Sequence, residues 1–179
     1  MTVAKCSCRP GLLCFGSLAE SGRRPSATIA GVPSLYFEDF ELGRVFETRG
    51  RTVTEADIVA FAGLTGDYIE LHTNEEFAKK TPYGKRIAHG ALIFSISIGL
   101  MTQMNTVGDT VLAFYGVDRL RFTKPVFIGD TVRVVKKVLE GKDLGPSRGV
   151  VTFETNVLNQ HGVVVVAYQD KLLLKRREA

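Results

Sequence analysis

The sequence predicts an α+β fold in which one long apolar helix is covered by a curved antiparallel sheet. Two observations lead to this fold class. The segment IAHGALIFSISIGLMTQMN, which begins at Ile87, contains no acidic residue, lysine or arginine, as is typical of a core helix. From Thr110 onward, short stretches rich in Val, Thr, Phe and Leu alternate with turn residues, as strands do. Because a long apolar helix must be buried, we expect the strands to wrap around it.

The elements that precede the core helix follow from local signals. Residues 45–49 form a strand candidate after a glycine turn. Thr54 is a good N-cap, and Asp57 completes a variant of the capping box. Apolar residues at helical spacing then predict a helix over 55–65, which Gly66 ends. Asn74 can cap a further short helix that ends at residue 79 or 80.

The elements that follow the core helix are strands. The predicted strands cover residues 111–115, 119–122, 131–139, 149–159 and 163–175. Lys124-Pro125 and Gly129-Asp130 break the pattern, and residues 160–162 (Gln-His-Gly) have the composition of a hairpin turn. This order, without an internal repeat or linker, predicts one domain over 36–179.

Charge and cysteine placement exclude several classes of protein. The chain has 179 residues and a net charge of +4, of which residues 1–35 supply +3. A nearly neutral body argues against nucleic-acid binding, which would require clustered lysine and arginine. All three cysteines (Cys6, Cys8 and Cys14) lie near the amino terminus, which excludes a disulfide scaffold. The longest apolar stretch is too short to cross a bilayer, so we expect no membrane association.

Residues 1–35 form an extension that lacks the periodic pattern of a helix or strand. Three interpretations stay open for it: a disordered segment, a transit peptide rich in serine and arginine, or a secretory signal. We expect the protein in the cytoplasm, or in an organelle matrix if the extension is a transit peptide. No histidine accompanies the cysteines there, so no metal site is expected.

Four residues are candidates for chemistry. Asp67 and His72 lie five residues apart between two predicted helices, where a carboxylate and an imidazole could share a water molecule. Spacing alone leaves open that the aspartate caps and the histidine packs. His89 fits a structural hydrogen-bonding role better than a catalytic one. Gly90 follows at the start of the core helix, where unpaired N–H groups could polarise a carbonyl oxygen, although a glycine needed for close packing would fit equally well.

The segment FAGLTGDYIELHTNEEFAK, followed by RIAHGALIFSISIGL, resembles the MaoC-like dehydratase family, which includes the (R)-specific enoyl-CoA hydratases. The resemblance extends from Tyr36 to the final strands. In that family's signature, approximately Gly-Asp-x-Asn-Pro-aliphatic-His, Asp67 and His72 match the catalytic pair. Gly90 resembles the N–H donor of the oxyanion hole. Ile69 and Glu70 replace the usual Asn and Pro, and we expect Ile69 beside the cavity or in the core.

The resemblance implies a hot-dog fold and a defined reaction. A hydro-lyase of this family reversibly hydrates a trans-2-enoyl-CoA to a 3-hydroxyacyl-CoA. It needs no metal or redox cofactor, because CoA arrives as part of the acyl-CoA thioester substrate. A homodimer or a dimer of dimers is expected. Two alternatives stay open: an acyl-CoA thioesterase on the same fold, and a non-catalytic acyl-thioester binding protein, which the replacements Ile69 and Glu70 would favour.

Overall fold

The computed structural model describes residues 34–177, which form a six-stranded antiparallel sheet and four α-helices. The sheet order is β1-β4-β5-β6-β3, and β2 pairs with β4 outside this path. The helices are α1 (Glu55–Thr65), α2 (Glu70–Thr73), α3 (Glu75–Ala78) and α4 (Gly90–Thr102). The strands are β1 (Val45–Glu47), β2 (Arg51–Thr52), β3 (Val111–Phe122), β4 (Thr131–Asp143), β5 (Arg148–Leu158) and β6 (Val164–Lys175).

Helix α4 packs against one face of the sheet, which confirms the predicted α+β, hot-dog architecture. Ile93 and Ile96 of α4 are buried in one cluster with Val134, Val157 and Val166 from three adjacent strands. Alternate residues of β4 are buried, as expected for strands with one face on the core. The burial of this helix against the sheet fixes the position of α4.

Helix α4 begins at Gly90, where the sequence analysis places the helix start, although the apolar segment itself begins at Ile87. The backbone N–H of Ala88 donates to the carbonyl of Val126 at 2.8 Å, and Ile87 forms an isolated bridge with Phe127. Because these residues are paired with another segment in an extended conformation, the helix begins only at Gly90. The same pairing anchors the helix start.

Local signals placed α1 correctly. The side chain of Thr54 accepts from the N–H of Asp57, the Asp57 carboxylate accepts from the N–H of Thr54, and Gly66 ends the helix with φ of 77°. This left-handed conformation is easily adopted only by glycine.

The prediction of two strands over residues 111–122 is wrong, because β3 is continuous there. Its pairing with β6 contains register shifts between Phe114 and Gly116 and between Asp118 and Arg121. Such bulges bend a strand without ending it, so the interruption in the sequence pattern marks curvature and not a turn.

The predicted extension lies largely outside the described residues, and its boundary at residue 36 therefore stays a prediction. At the start of the described part, the N–H of Leu35 donates to the carbonyl of Thr106 at 2.7 Å. Within residues 34–177, no helix is long and apolar enough to cross a membrane.

Candidate active site

Two neighbouring helices position Asp67 and His72. Asp67 follows the Gly66 cap of α1, and its Oδ1 accepts from the N–H of Ile69 at 3.4 Å. The sequence predicts no helix between α1 and the Asn74 cap, but His72 lies in the single turn of α2. Asn74 ends α2 and caps α3, where its Oδ1 accepts from the N–H of Phe77 at 3.1 Å, as the sequence predicts. Both candidate side chains are therefore attached to regular structure.

The side chains of Asp67, His72 and His89 converge. One potential ligand atom from each lies within 4.8 Å of the others. Nδ1 of His72 is 2.8 Å from the carbonyl oxygen of Ile87. Since a carbonyl oxygen can only accept, this nitrogen carries the hydrogen. In this tautomer Nε2 is the nitrogen that can accept a proton.

His89 is the third member of this group, and its structural role is the one that the sequence favours. It is 2% exposed, and its Nε2–H donates to the backbone carbonyl of Asp67 at 3.0 Å. Its ring stacks on His72 with centroids 3.9 Å apart and contacts Phe61 at 5.1 Å. The sequence did not indicate this stacking, because the two histidines are far apart in the chain.

Burial keeps His89 uncharged. It is the main cause that lowers the pKa of His89, and the adjacent His72 lowers it further, whereas the carbonyl and carboxylate of Asp67 oppose the shift. Nδ1 of the neutral ring is buried without a hydrogen-bond partner among residues 34–177. His89 therefore supports the site in two ways. Its neutral ring donates a hydrogen bond to the Asp67 carbonyl, and the same ring packs against the ring of His72.

A cavity of about 220 Å³ lies next to this group, at the amino terminus of α4. His72 and Gly90 both line it, together with Lys124 and Phe122. As the first residue of the helix, Gly90 has an N–H without an intrahelical acceptor, and the first turn contains no acidic side chain. The positive end of the helix dipole thus faces a cavity that also has a lysine in its wall.

Gly90 also has a packing reason to be glycine. A Cβ atom at this position would lie 2.8 Å from Cδ1 of Phe122, which is too close for any side chain unless the ring moves. The close-packing explanation therefore holds at this residue, and the role of Gly90 as an N–H donor stays a prediction. Asp67 is not one of the lining residues, and it adjoins the cavity through His72.

Within residues 34–177, one group of side chains could together bind a metal ion, and it consists of Asp67, His72 and His89. One nitrogen of each ring already donates to a carbonyl oxygen. A metal ion would have to use Nε2 of His72, Nδ1 of His89 and the Asp67 carboxylate. The expected absence of a metal stays a prediction.

The expectation for Ile69 is wrong. Its side chain is 60% exposed and lines neither the core nor the cavity, because Ile69 lies at the start of α2, on the solvent side of the loop. Glu70 is the first residue of α2, where a proline is well tolerated and an acidic side chain favours the helix dipole. Its carboxylate accepts from the Asn74 side chain at 2.9 Å. The replacements thus preserve the loop that carries His72.

Residues 39–171 match the family model of the MaoC-like domain. The chain is 38% identical over 131 residues to the (R)-specific enoyl-CoA hydratase of Rhodospirillum rubrum, which covers 73% of this chain and 85% of that protein. It is 42% identical over 107 residues to the 3-hydroxybutyryl-CoA dehydratase of Methylorubrum extorquens, covering 59% of this chain and 65% of the relative. The match to protein MaoC of Klebsiella aerogenes spans only 29% of that longer protein, at 40% identity over 99 residues, or 55% of this chain.

Solved structures give the same result for the fold. The monoamine oxidase regulatory protein of an Archaeoglobus species is 42% identical and superposes with a TM-score of 0.76, covering 80% of this chain and 96% of that one. The structural similarity therefore extends over nearly the whole of the Archaeoglobus protein.

Proposed function

Because the chain belongs to the family of MaoC-like domains, we propose that it is a hydro-lyase that reversibly hydrates a trans-2-enoyl-CoA to a 3-hydroxyacyl-CoA. One observation carries the proposal: a carboxylate and an imidazole, Asp67 and His72, converge within 4.8 Å beside the cavity at the amino terminus of α4. Relatives named as hydratase and dehydratase support the same reaction class.

In the proposed mechanism, Asp67 and His72 together hold one water molecule. The water oxygen bonds to C3 of the enoyl group while His72 Nε2 or the carboxylate takes its proton. The electrons of the C2–C3 double bond move toward the thioester, whose oxygen becomes an enolate. A proton then passes to C2 and restores the thioester. A positioned acid or base of this kind contributes about 10²–10⁴-fold to the rate.

Gly90 is proposed to stabilise the enolate. Its N–H, at the positive end of α4, would donate to the thioester oxygen as negative charge develops there. One such donor is typically worth about 10²–10³-fold in rate. No redox cofactor or metal enters these steps, and CoA is part of the substrate.

Hydration can be measured as the loss of absorbance of the conjugated thioester across a panel of enoyl-CoAs. We expect Asp67→Asn and His72→Gln each to lower turnover by about 10²–10⁴-fold without changing the melting temperature by more than a few degrees. His161→Gln is the matched control, because His161 is exposed in a turn. Near wild-type turnover in either site variant would refute the assignment.

The same assay tests the two alternatives. A thioesterase would also use the N–H at the start of α4 and a carboxylate, but it would release free thiol from a saturated acyl-CoA. A non-catalytic binding protein would retain the ligand without turnover. The pairing of Asp67 with His72 favours the hydratase over both.

We also propose that β3 pairs with a second copy of the chain. This strand lies at the edge of the sheet and exposes large apolar side chains, namely Val111, Leu112, Phe114, Tyr115 and Phe122. A long apolar edge strand is prone to pairing with another chain. Sedimentation should give a dimer or a dimer of dimers at micromolar concentration, and a monomer would contradict this.

A further inference from the structure

Lys124 lies in the wall of the site cavity and has no part in the mechanism proposed so far. It lines the cavity together with His72 and Gly90, and it is exposed. None of the salt bridges within residues 34–177 includes Lys124. In contrast, Lys79 and Lys171, which lie away from the cavity, each pair with a carboxylate. The charge of Lys124 is therefore available to a ligand in the cavity.

The pairing that precedes α4 places Lys124 beside the start of this helix. Residues 87–88 pair in antiparallel order with residues 126–127. Because partner numbers fall along one segment as they rise along the other, two further residues bring Gly90 opposite Lys124. The ring of Phe122, two residues before Lys124, also lies next to the Cα of Gly90. A cation and the first N–H of α4 thus adjoin the same part of the cavity.

The charges that line the cavity are all of one sign. None of its lining residues within the described part of the chain is acidic, and neither is any residue in the first turn of α4. The carboxylate of Asp67 adjoins the cavity through His72 and does not line it. The helix start contributes the positive end of a dipole, and Lys124 contributes a full charge. Such a lining favours a ligand group that carries or develops negative charge.

The position of Lys124 indicates which negative group it serves. In the proposed reaction, the thioester oxygen beside Gly90 is neutral in the substrate and becomes negative in the enolate. A cation next to this oxygen is worth more in the transition state than in the bound substrate, and it therefore raises the rate. The phosphates of CoA are charged throughout the reaction, so a cation that bound them would raise affinity only.

Resting on the proposed function, we infer that Lys124 is a further catalytic residue, whose ammonium group stabilises the enolate oxygen together with the N–H of Gly90. Lys124 keeps its protons, and it forms and breaks no covalent bond. The electrons of the C2–C3 double bond move toward the thioester oxygen, which both donors face. Because Lys124 is exposed and water screens its charge, we expect an effect of about tenfold, below the 10²–10³-fold of a buried donor.

The enolate of a 3-ketoacyl-CoA tests this inference without any hydration step. Acetoacetyl-CoA loses a C2 proton to the buffer and forms an enolate, which absorbs ultraviolet light more strongly than the keto form. At saturating protein, this absorbance gives the ratio of enolate to keto form in the bound ligand, independently of affinity. We expect the wild type to raise the ratio above its value in buffer and Lys124→Met to lower it about tenfold. A wild type that leaves the ratio unchanged would overturn the inference.

Two variants show whether the charge must lie at this position. Lys124→Arg keeps the positive charge and should retain most of the wild-type ratio. Lys85→Met is the matched control, because Lys85 is also exposed but does not line the cavity, and its Nζ lies over the ring of Phe127, 4.3 Å from the centroid. It should retain the full ratio. A loss in Lys85→Met as large as that in Lys124→Met would attribute the effect to overall charge and contradict a specific role for Lys124.

A second ligand separates the enolate oxygen from the phosphates of CoA. The acetoacetyl thioester of pantetheine has the same reacting group but no phosphate. We expect Lys124→Met to lower the enolate ratio equally with both ligands. If the variant binds acetoacetyl-CoA more weakly but keeps the wild-type ratio at saturation, Lys124 binds the phosphates and the inference is wrong.

The enoyl-CoA assay separates this inference from the proposed function. With an enoyl-CoA that the wild type hydrates, Lys124→Met should lower kcat about tenfold and change KM little, because the lost interaction belongs to the transition state. Hydration with an unchanged kcat would overturn the inference alone. An enolate ratio that depends on Lys124, without hydration of any enoyl-CoA in the panel, would overturn the proposed function and support the role of Lys124.

Discussion

The substitution His89→Leu tests whether a buried, uncharged histidine supports the candidate site. Leucine keeps an apolar side chain in this place but removes the hydrogen bond to the Asp67 carbonyl and the stacking on His72. The lost hydrogen bond destabilises the fold by about 1 kcal/mol, and the lost stacking by about 0.5–1.5 kcal/mol. Removal of the unpartnered Nδ1 offsets part of this loss, because a buried unsatisfied acceptor is itself costly. We therefore expect a loss of about 1–2 kcal/mol in the free energy of unfolding at pH 8.

The loss should shrink as the pH falls. Burial lowers the pKa of His89 in the folded protein, whereas in the unfolded chain it is near the ordinary value of about 6.5. Below that pH the unfolded chain gains a proton that the folded protein does not bind, so the wild type loses stability as the pH falls from about 6.5 toward the folded pKa. One such proton is worth up to about 1.4 kcal/mol per pH unit. His89→Leu lacks this effect.

Urea unfolding at pH 8 and at pH 5.5, at one protein concentration, measures the difference. We expect the gap between the free energies of unfolding of wild type and His89→Leu to narrow at the lower pH, by at most about 1.4 kcal/mol. Other titrating groups are present in both proteins and largely cancel in the comparison. His161→Gln, which removes an exposed histidine, should show the same gap from wild type at both pH values. A His89→Leu gap that stays constant or widens on acidification would refute the argument that His89 is neutral in the folded protein.

Three further outcomes follow from local geometry. Thr54→Ala removes the cap of α1 and should lower the free energy of unfolding by about 1 kcal/mol in urea titration, and an unchanged midpoint would contradict the capping role. Gly90→Ala forces the Phe122 ring aside at the cavity, so we expect turnover to fall by more than the loss of stability, measured as the melting temperature, explains. Full activity would show that the substrate does not approach Gly90 closely. Phe114→Lys places a charge on the exposed edge strand and should shift sedimentation toward the monomer, while an unaltered profile would place the interface elsewhere.

Short-range patterns in the sequence determined the elements whose signals lie within a few residues. The ends of α1 depend on Thr54, Asp57 and Gly66, which act on the backbone next to them. Asn74 caps α3 for the same reason. The apolar segment after Ile87 and the alternating strands likewise specify a helix covered by a sheet, because burial of apolar faces is the main force that assembles them. The motif around Asp67 and His72 then indicated a family and a candidate pair.

Only the tertiary structure decided features that depend on residues distant in the chain. Pairing with residues 126 and 127 holds residues 87 and 88 in an extended conformation before α4, and pairing with β6 keeps β3 continuous through its bulges. The stacking of His72 on His89 and the buried contact between Lys136 and Asp170 join residues from separate elements. No periodicity or spacing encodes these contacts, because they arise where the packing of helix against sheet brings distant side chains together and removes them from water. The charge state of His89 and the form of the cavity depend on that burial.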